Sequence, residues 1–224
     1  MKKVIVVGGG AAGMMAACAA AQAGAQVVLL EKNEKLGKKL FITGKGRCNV
    51  TNAAEVETLL ANVCTNPKFL YSAFYGYDNL AVMDFLEKAG CSLKTERGER
   101  VFPVSDHSSD VIAAFQRELK KNGVEVQLCT AVTELALCDG RVTGVKTEKG
   151  GFAADSVIVC TGGRSYPLTG STGDGYRFAE AAGHTVTNQS PALVPLEVKE
   201  AWCKELMGLS LKNVSVSLQC GGRE

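Results

Sequence analysis

The residues best placed to do chemistry lie near the start of the chain. Gly8, Gly10 and Gly13 stand in the spacing G-x-G-x-x-G, with Ala11 and Ala12 between the last two, and Glu31 follows on the same stretch. The first glycine of such a motif permits a tight turn. The second lets a pyrophosphate approach the backbone, and the third lets a new helix pack closely on the strand before it. Free N–H groups and the positive dipole end at the helix start then favour phosphate. A carboxylate at the position of Glu31 accepts hydrogen bonds from an adenosine ribose and repels a 2′-phosphate, which favours FAD or NAD over NADP.

The motif alone is weak evidence, but its surroundings complete it. Val4-Ile5-Val6-Val7 is a β-branched run of the kind buried on both faces of a parallel sheet. An Ala-rich segment to Gly24 reads as a helix, and Val27 to Leu30 reads as a second strand that closes on Glu31. Met1 to Gly24 also imitates a secretion signal, with Lys2-Lys3, an apolar body and Ala21-Gln22-Ala23 as a cleavage-like site. Glycines break up that apolar body, and a signal leaves Val27 to Glu31 without a purpose. Dinucleotide binding is the expectation.

Composition narrows the class. The 224 residues are 46% hydrophobic and 21% charged, ordinary values for an α/β protein with one large domain or one domain and part of another. A net charge of +2 argues against bulk electrostatic binding to nucleic acid or to an anionic membrane. No apolar run reaches the length of a membrane span. Nine cysteines are scattered, odd in number and without C-x-x-C, which points to reduced thiols in a cytoplasmic protein rather than a zinc site.

After Glu31 the chain turns basic and glycine-rich. Lys32, Lys35, Lys38, Lys39, Lys45 and Arg47 oppose the single acid Glu34, with Gly37, Gly44 and Gly46 interleaved. Such a run suits a solvated face or a nucleic-acid patch, but its place after the ribose-binding acid suits a loop wrapped along a diphosphate. Helices are expected over 55–62 and 78–89, the second with Leu80, Met83 and Leu86 on one face. Between them Phe69, Tyr71, Phe74, Tyr75 and Tyr77 form an aromatic cluster that could pack a helical cap or line a pocket. A turn and short strand are expected over 97–103, then a helix from the Asp106–Asp110 region to about Lys121. His107 at that helix start reads as structural before catalytic.

From Val124 the pattern changes to strands over 124–129, 131–137, 141–147 and 152–154, with Asp139-Gly140 and Gly150-Gly151 as turns. These are expected to form an antiparallel meander. Ser156 to Cys160 is apolar again and runs into Thr161-Gly162-Gly163, returning the chain to the crevice where ligands of parallel sheets sit. The loop 164–175 is denser in glycine than turns require, which suits backbone packed on a flat ligand or a long surface loop. A helix from Tyr176 to Ala182 follows. An extended crossing over Pro191–Leu196, a strand over Leu211–Leu218 and a hairpin turn at Gly221–Glu224 are expected last, with no partner strand following.

Four blocks together resemble a known family. They are Gly8–Gly13 with Glu31, Thr43-Gly44-Lys45-Gly46-Arg47-Cys48-Asn49, Cys160-Thr161-Gly162-Gly163, and Thr169 to Tyr176. The chain resembles the HI0933-like flavoproteins along its whole length, a family that includes aminoacetone-oxidase-like and bile-acid-reductase-like FAD-binding enzymes. The resemblance implies a glutathione-reductase-like, Rossmann-like FAD-binding domain over 1–190. It would carry a helical cap at about 53–105 and the meander at about 124–154. Residues 191–224 would then begin an inserted, β-rich substrate domain. Because relatives return to the flavin domain with a glycine-rich segment, a truncated chain is expected.

The resemblance also implies site residues. Gly8, Gly10, Ala11, Ala12, Gly13, Glu31 and Lys32 would hold the ADP half of FAD. Gly37, Lys38, Gly44, Arg47, Cys48 and Asn49 would lie along the diphosphate toward the isoalloxazine, with Val132 at the adenine. Thr161, Gly162 and Gly163 would pack on the cofactor with Asp174 nearby. The implied activity is hydride transfer through the flavin to a small organic substrate, with NAD(P)H as donor. No acid or base stands out; Tyr166, Arg100 and His184 are the candidates. An RNA-linked or non-catalytic flavoprotein and an inactive remnant are the alternatives, and a plain NAD dehydrogenase fails because strand–helix alternation does not continue after Glu31.

Overall fold

The computed structural model describes residues 1–191, 197–211, 214, 215 and 217. Two compact units divide the chain, Met1–Val186 and Thr187–Glu224. The first begins as the sequence predicts. Strand β1 (Lys3–Val7) turns through the glycines into helix α1 (Ala11–Gln22), and β2 (Gln26–Leu30) follows. Seven alanines in α1 supply the strongest helix propensity available, and left-handed Gly24 (φ 86°) ends it.

Next come α2 (Lys38–Ile42), β3 (Thr51–Asn52), and the cap helices α3 (Val56–Ala61), α4 (Tyr71–Gly76) and α5 (Asn79–Lys88). Asp78 caps α5 by accepting from the Ala81 N–H at 2.7 Å. Strands β4 (Leu93–Glu96) and β5 (Arg100–Pro103) form a small antiparallel sheet with β3, in the order β3-β5-β4. Helix α6 (Ser108–Lys121) then leads into β6 (Glu125–Gln127).

Here one expectation fails. Instead of opening the meander, β6 pairs parallel with β2, Leu29 opposite Val126. The meander is β7 (Val132–Cys138), β8 (Arg141–Thr147) and β9 (Gly150–Ala153), with Gly150 and Gly151 inside β9 rather than in a turn. Strand β10 (Ser156–Val159) pairs parallel with β1, and α7 (Asp174–Ala181) ends the unit. The main sheet is thus ordered β10-β1-β2-β6, all parallel. Strand order reverses at β1, which opens a crevice at its carboxyl end toward β10.

Alternation along β1 and β2 supplies two cores. Val6 and Leu29 face α1, α5 and α6 with Met14, Ala17, Leu86 and Phe115, while Ile5, Val7, Val28 and Leu30 face Val145 and Phe178. Each fully buried side chain of this size contributes roughly 1.5–3 kcal/mol. Although Val157 to Val159 are apolar, β10 is an edge strand and is half-exposed.

Two further expectations are corrected. Leu86 is buried as expected, but Leu80 is exposed, and α5 packs the half-buried Val82 and Phe85 on the core beside Leu86. Phe69, Tyr71, Tyr75 and Tyr77 of the aromatic cluster are exposed and Phe74 is half-buried; Tyr75 bonds Glu57 on α3 and meets Tyr71 edge-on, so most of the cluster lies on the surface of the cap helices. In the second unit the described residues hold one helix, α8 (Trp202–Glu205). The turn at Gly221–Glu224 lies outside the described residues, as do all but Pro191 of the crossing over Pro191–Leu196 and half of the strand over Leu211–Leu218. No helix among the described residues is long and apolar enough to cross a membrane.

Candidate functional site

A cavity of about 970 Å³ opens at the carboxyl ends of β1, β2 and β10, a volume suited to a cofactor-sized ligand. Its floor is the glycine turn between β1 and α1. A Cβ on Gly8 would overlap the Cys160 carbonyl, and one on Gly13 would overlap the Gly8 carbonyl oxygen. These two glycines let turn, helix and β10 close on one another. Gly10 differs: a Cβ there meets no atom within 4 Å, so its face is open to the cavity.

The start of α1 is built for an anion. Gly10 is its N-cap, no side chain caps it, and no acid occupies its first turn. Ala11 and Ala12 are exposed and line the cavity with Gly8, Gly9 and Gly10. The N-terminal N–H groups and the dipole end therefore act on whatever enters.

Glu31, only 7% exposed, closes the end of β2. Its Oε2 accepts from the Gly9 N–H at 2.6 Å, and its Oε1 accepts from the Asn33 N–H at 2.8 Å and from Asn33 Nδ2 at 2.6 Å. A carboxylate offers about four acceptor positions, so these three donors hold it in place and leave room for a ligand hydroxyl. The residue both ties down the glycine turn and faces the cavity.

Lys32, Lys38 and Lys39 line the same space. Lys32 Nζ bonds Asp174 Oδ2 and Thr172 Oγ1, each at 2.8 Å, and Lys39 Nζ reaches the Ser165 carbonyl at 2.7 Å. Lys38 Nζ makes only long contacts, 3.3 Å to Glu34 and 3.4 Å to Asn33. The basic run thus does two jobs: it straps loop 164–175 to the end of β2, and it leaves positive charge beside the helix start.

Among the sequence-predicted residues, Cys48, Asn49, Val132, Thr161, Gly162 and Asp174 also line the cavity. Gly13, Gly37, Gly44, Gly163 and Arg47 do not. Gly37 is the left-handed N-cap of α2 against Ile112, Gly44 lies beside the Asn49 N–H, and Gly163 sits by the Tyr176 hydroxyl.

Arg47 is drawn elsewhere by two acids. Its guanidinium bonds Asp106 Oδ1 (2.6 and 2.8 Å) and Glu96 Oε1 (2.5 Å), and stacks over Phe102. Hydrogen bonds that it donates to Glu96 and then to Asp106 push its pKa up. Tyr166, Arg100, His184 and His107 are also absent from the lining.

Burial pushes the Cys48 thiol up, partly offset by a hydrogen bond with Thr43, and burial does the same to Cys160. Both line the cavity as neutral thiols rather than activated nucleophiles. The eight cysteines of the described residues are free, and no cluster of three metal-ligating side chains occurs among the described residues.

Sequence reasoning missed Asn33, Thr130, Ser171 and Phe178, which also line the cavity. None of the four carries a signal in sequence that sets it apart from an ordinary loop or core residue.

The sequence is similar to proteins of known name. It is 34% identical over 176 residues to the 3-dehydro-bile acid delta(4,6)-reductase of Clostridium scindens, covering 79% of this chain and 42% of that protein. It is 30% identical over 192 residues to the ribosomal RNA dihydrouridine synthase of Escherichia coli K12, covering 84% of this chain and 46% of that one. The chain spans less than half the length of these relatives. In fold it is similar to a flavocytochrome c3 fumarate reductase (TM-score 0.58, 24% identity, 81% of this chain and 40% of that one). Mycobacterium smegmatis Sdh1 is similar too (TM-score 0.56, 22% identity, 81% and 39%). The model of the HI0933-like protein Rossmann domain matches residues 2–222, and the chain belongs to that family.

Proposed function

We propose that this chain binds FAD in an extended pose and forms the dinucleotide-binding part of a flavin-dependent oxidoreductase. One observation carries the reading. A single cavity joins the uncapped start of α1, the strand-terminal Glu31 and the Cys48–Asn49 and Thr161–Gly162 backbones. Gly10 to Ala12 would receive the pyrophosphate, Glu31 the adenosine ribose, and Val132 with Thr130 the adenine end. Lys38, whose contacts are the longest of the three cavity-lining lysines, would balance phosphate charge. Bound FAD would supply a two-electron carrier able to take and give hydride. The protein's own part is orientation: a fixed glycine turn, a held carboxylate and a largely apolar lining.

NAD(P)H is the proposed electron donor, docking transiently, and a small organic molecule the proposed substrate. One relative is named a delta(4,6)-reductase and another a dihydrouridine synthase, names that support a reduction as the reaction type here. The RNA dihydrouridine synthase likeness also favours a second reading, an RNA-linked flavoprotein. The net charge of +2 counts against it, and retention on RNA that weakens steeply with salt would support it. A cytoplasmic location belongs to the proposal and fits the free thiols.

The test is the visible absorption spectrum of the purified 224-residue chain before and after addition of FAD. Flavin bands that survive gel filtration support the reading. NAD binding without flavin binding overturns it.

A further inference from the structure

Asn33 belongs to none of the motifs, yet its amide is fully committed. Nδ2 donates to Glu31 Oε1 at 2.6 Å and to the Thr169 carbonyl at 3.2 Å, while Oδ1 faces Lys38 Nζ at 3.4 Å. Its backbone N–H reinforces the bond to Oε1, and the Gly9 N–H holds Oε2. At 7% exposure Glu31 has little water to turn to, so these donors decide where its free acceptor position points. Few side chains of this length fit. An amide puts two donors on one atom and an acceptor on the other. A carboxylate would set charge against Glu31, serine has one donor, and leucine has none.

We infer that Asn33 is a positioning residue of the ribose subsite, an inference that rests on the FAD reading. It holds the Glu31 carboxylate so that its remaining acceptor position faces the diol of a ribose. Through the Thr169 carbonyl it also makes that orientation depend on loop 164–175. Ligand chemistry and loop position are thereby read at one amide.

The test compares FAD affinity, by flavin fluorescence titration of the full chain, for wild type, N33A and N33D from pH 5.5 to 8. It is repeated for N33D in an E31Q background. Loss of a hydrogen bond to a charged acceptor predicts about tenfold or greater weakening for N33A. N33D should weaken binding further at pH 8 and regain affinity toward pH 5.5, where one proton can bridge two adjacent carboxylates. In the E31Q background that pH dependence should vanish, because the like charge is gone.

Urea unfolding of the cofactor-free variants reads the same coupling without FAD: the midpoint of N33D should fall relative to wild type as pH rises. An N33A affinity within twofold of wild type overturns the inference, as do N33D profiles parallel to wild type in both assays. A wild-type chain that takes up no FAD overturns the FAD reading, while the urea comparison still decides whether Asn33 holds Glu31.

Discussion

Lys32 Nζ lies 2.8 Å from Asp174 Oδ2, an ion pair that joins the end of β2 to the start of α7. Burial pushes the Asp174 carboxyl up, but hydrogen bonds from Lys32 and Thr172 outweigh it, helped by the charges of Lys32 and Arg177. The net result holds the group below its ordinary 3.8. A depressed carboxylate stabilises the fold above its unfolded-state value, and that contribution is lost as pH falls through the folded one. With both side chains about a third exposed or less, the pair is worth about 1 kcal/mol. K32A and D174N should each raise hydrogen exchange in loop 164–173 about fivefold at pH 7. In wild type the same loosening should appear only below about pH 4. Unchanged exchange in both variants would show that the strap is held by Asn33 and Lys39 alone.

The glycines of the turn separate folding from binding. G13A puts a methyl on the Gly8 carbonyl oxygen, with backbone on both sides, and should destabilise the chain by about 3 kcal/mol. G10A meets no atom within 4 Å and keeps an ordinary φ of −79°, so its urea midpoint should match wild type. Its methyl nevertheless fills the face that a pyrophosphate needs, and FAD affinity should drop at least tenfold. A G10A chain that binds FAD like wild type would place the diphosphate elsewhere.

What the sequence made legible was local. The β1–turn–α1–β2 unit shows in periodicity and glycine spacing, and the structure forms it over Lys3–Leu30. Strand β6 was visible as a strand but assigned to the wrong sheet, because partner choice depends on how α6 crosses back to β2. The basic residues of 32–47 showed their charge but not their counterions. For Arg47 those are Glu96 and Asp106, 49 and 59 positions away. Asn33 was hidden for the opposite reason: its partner Glu31 is two residues off, and an Asn in a charged run looks like any loop residue. The aromatics of 69–77 read as packing for a helical cap, but sequence does not show which side of a cap helix faces solvent, and four of the five are exposed.

Arg47 gives the last prediction, a stability effect where the motif suggested a binding one. Its hydrogen bond lowers the Glu96 pKa, while Lys94 first and Arg47 second lower that of Asp106. Both carboxylates therefore contribute stability that is present above their ordinary values of 4.5 and 3.8 and is lost as pH falls through the depressed ones. R47A leaves the two acids with Lys94 as their remaining cation in this network. It should lower the melting temperature by a few degrees at pH 7, and the gap should close below about pH 4. Salt at 1 M should narrow it too, since all four side chains are about a third exposed or more. R47K keeps the charge but not the planar fork that meets two acids while stacked on Phe102, and should recover only part of the loss. A gap that stays constant from pH 3 to 8 would mean that Arg47 acts through its stack on Phe102 rather than through its charge.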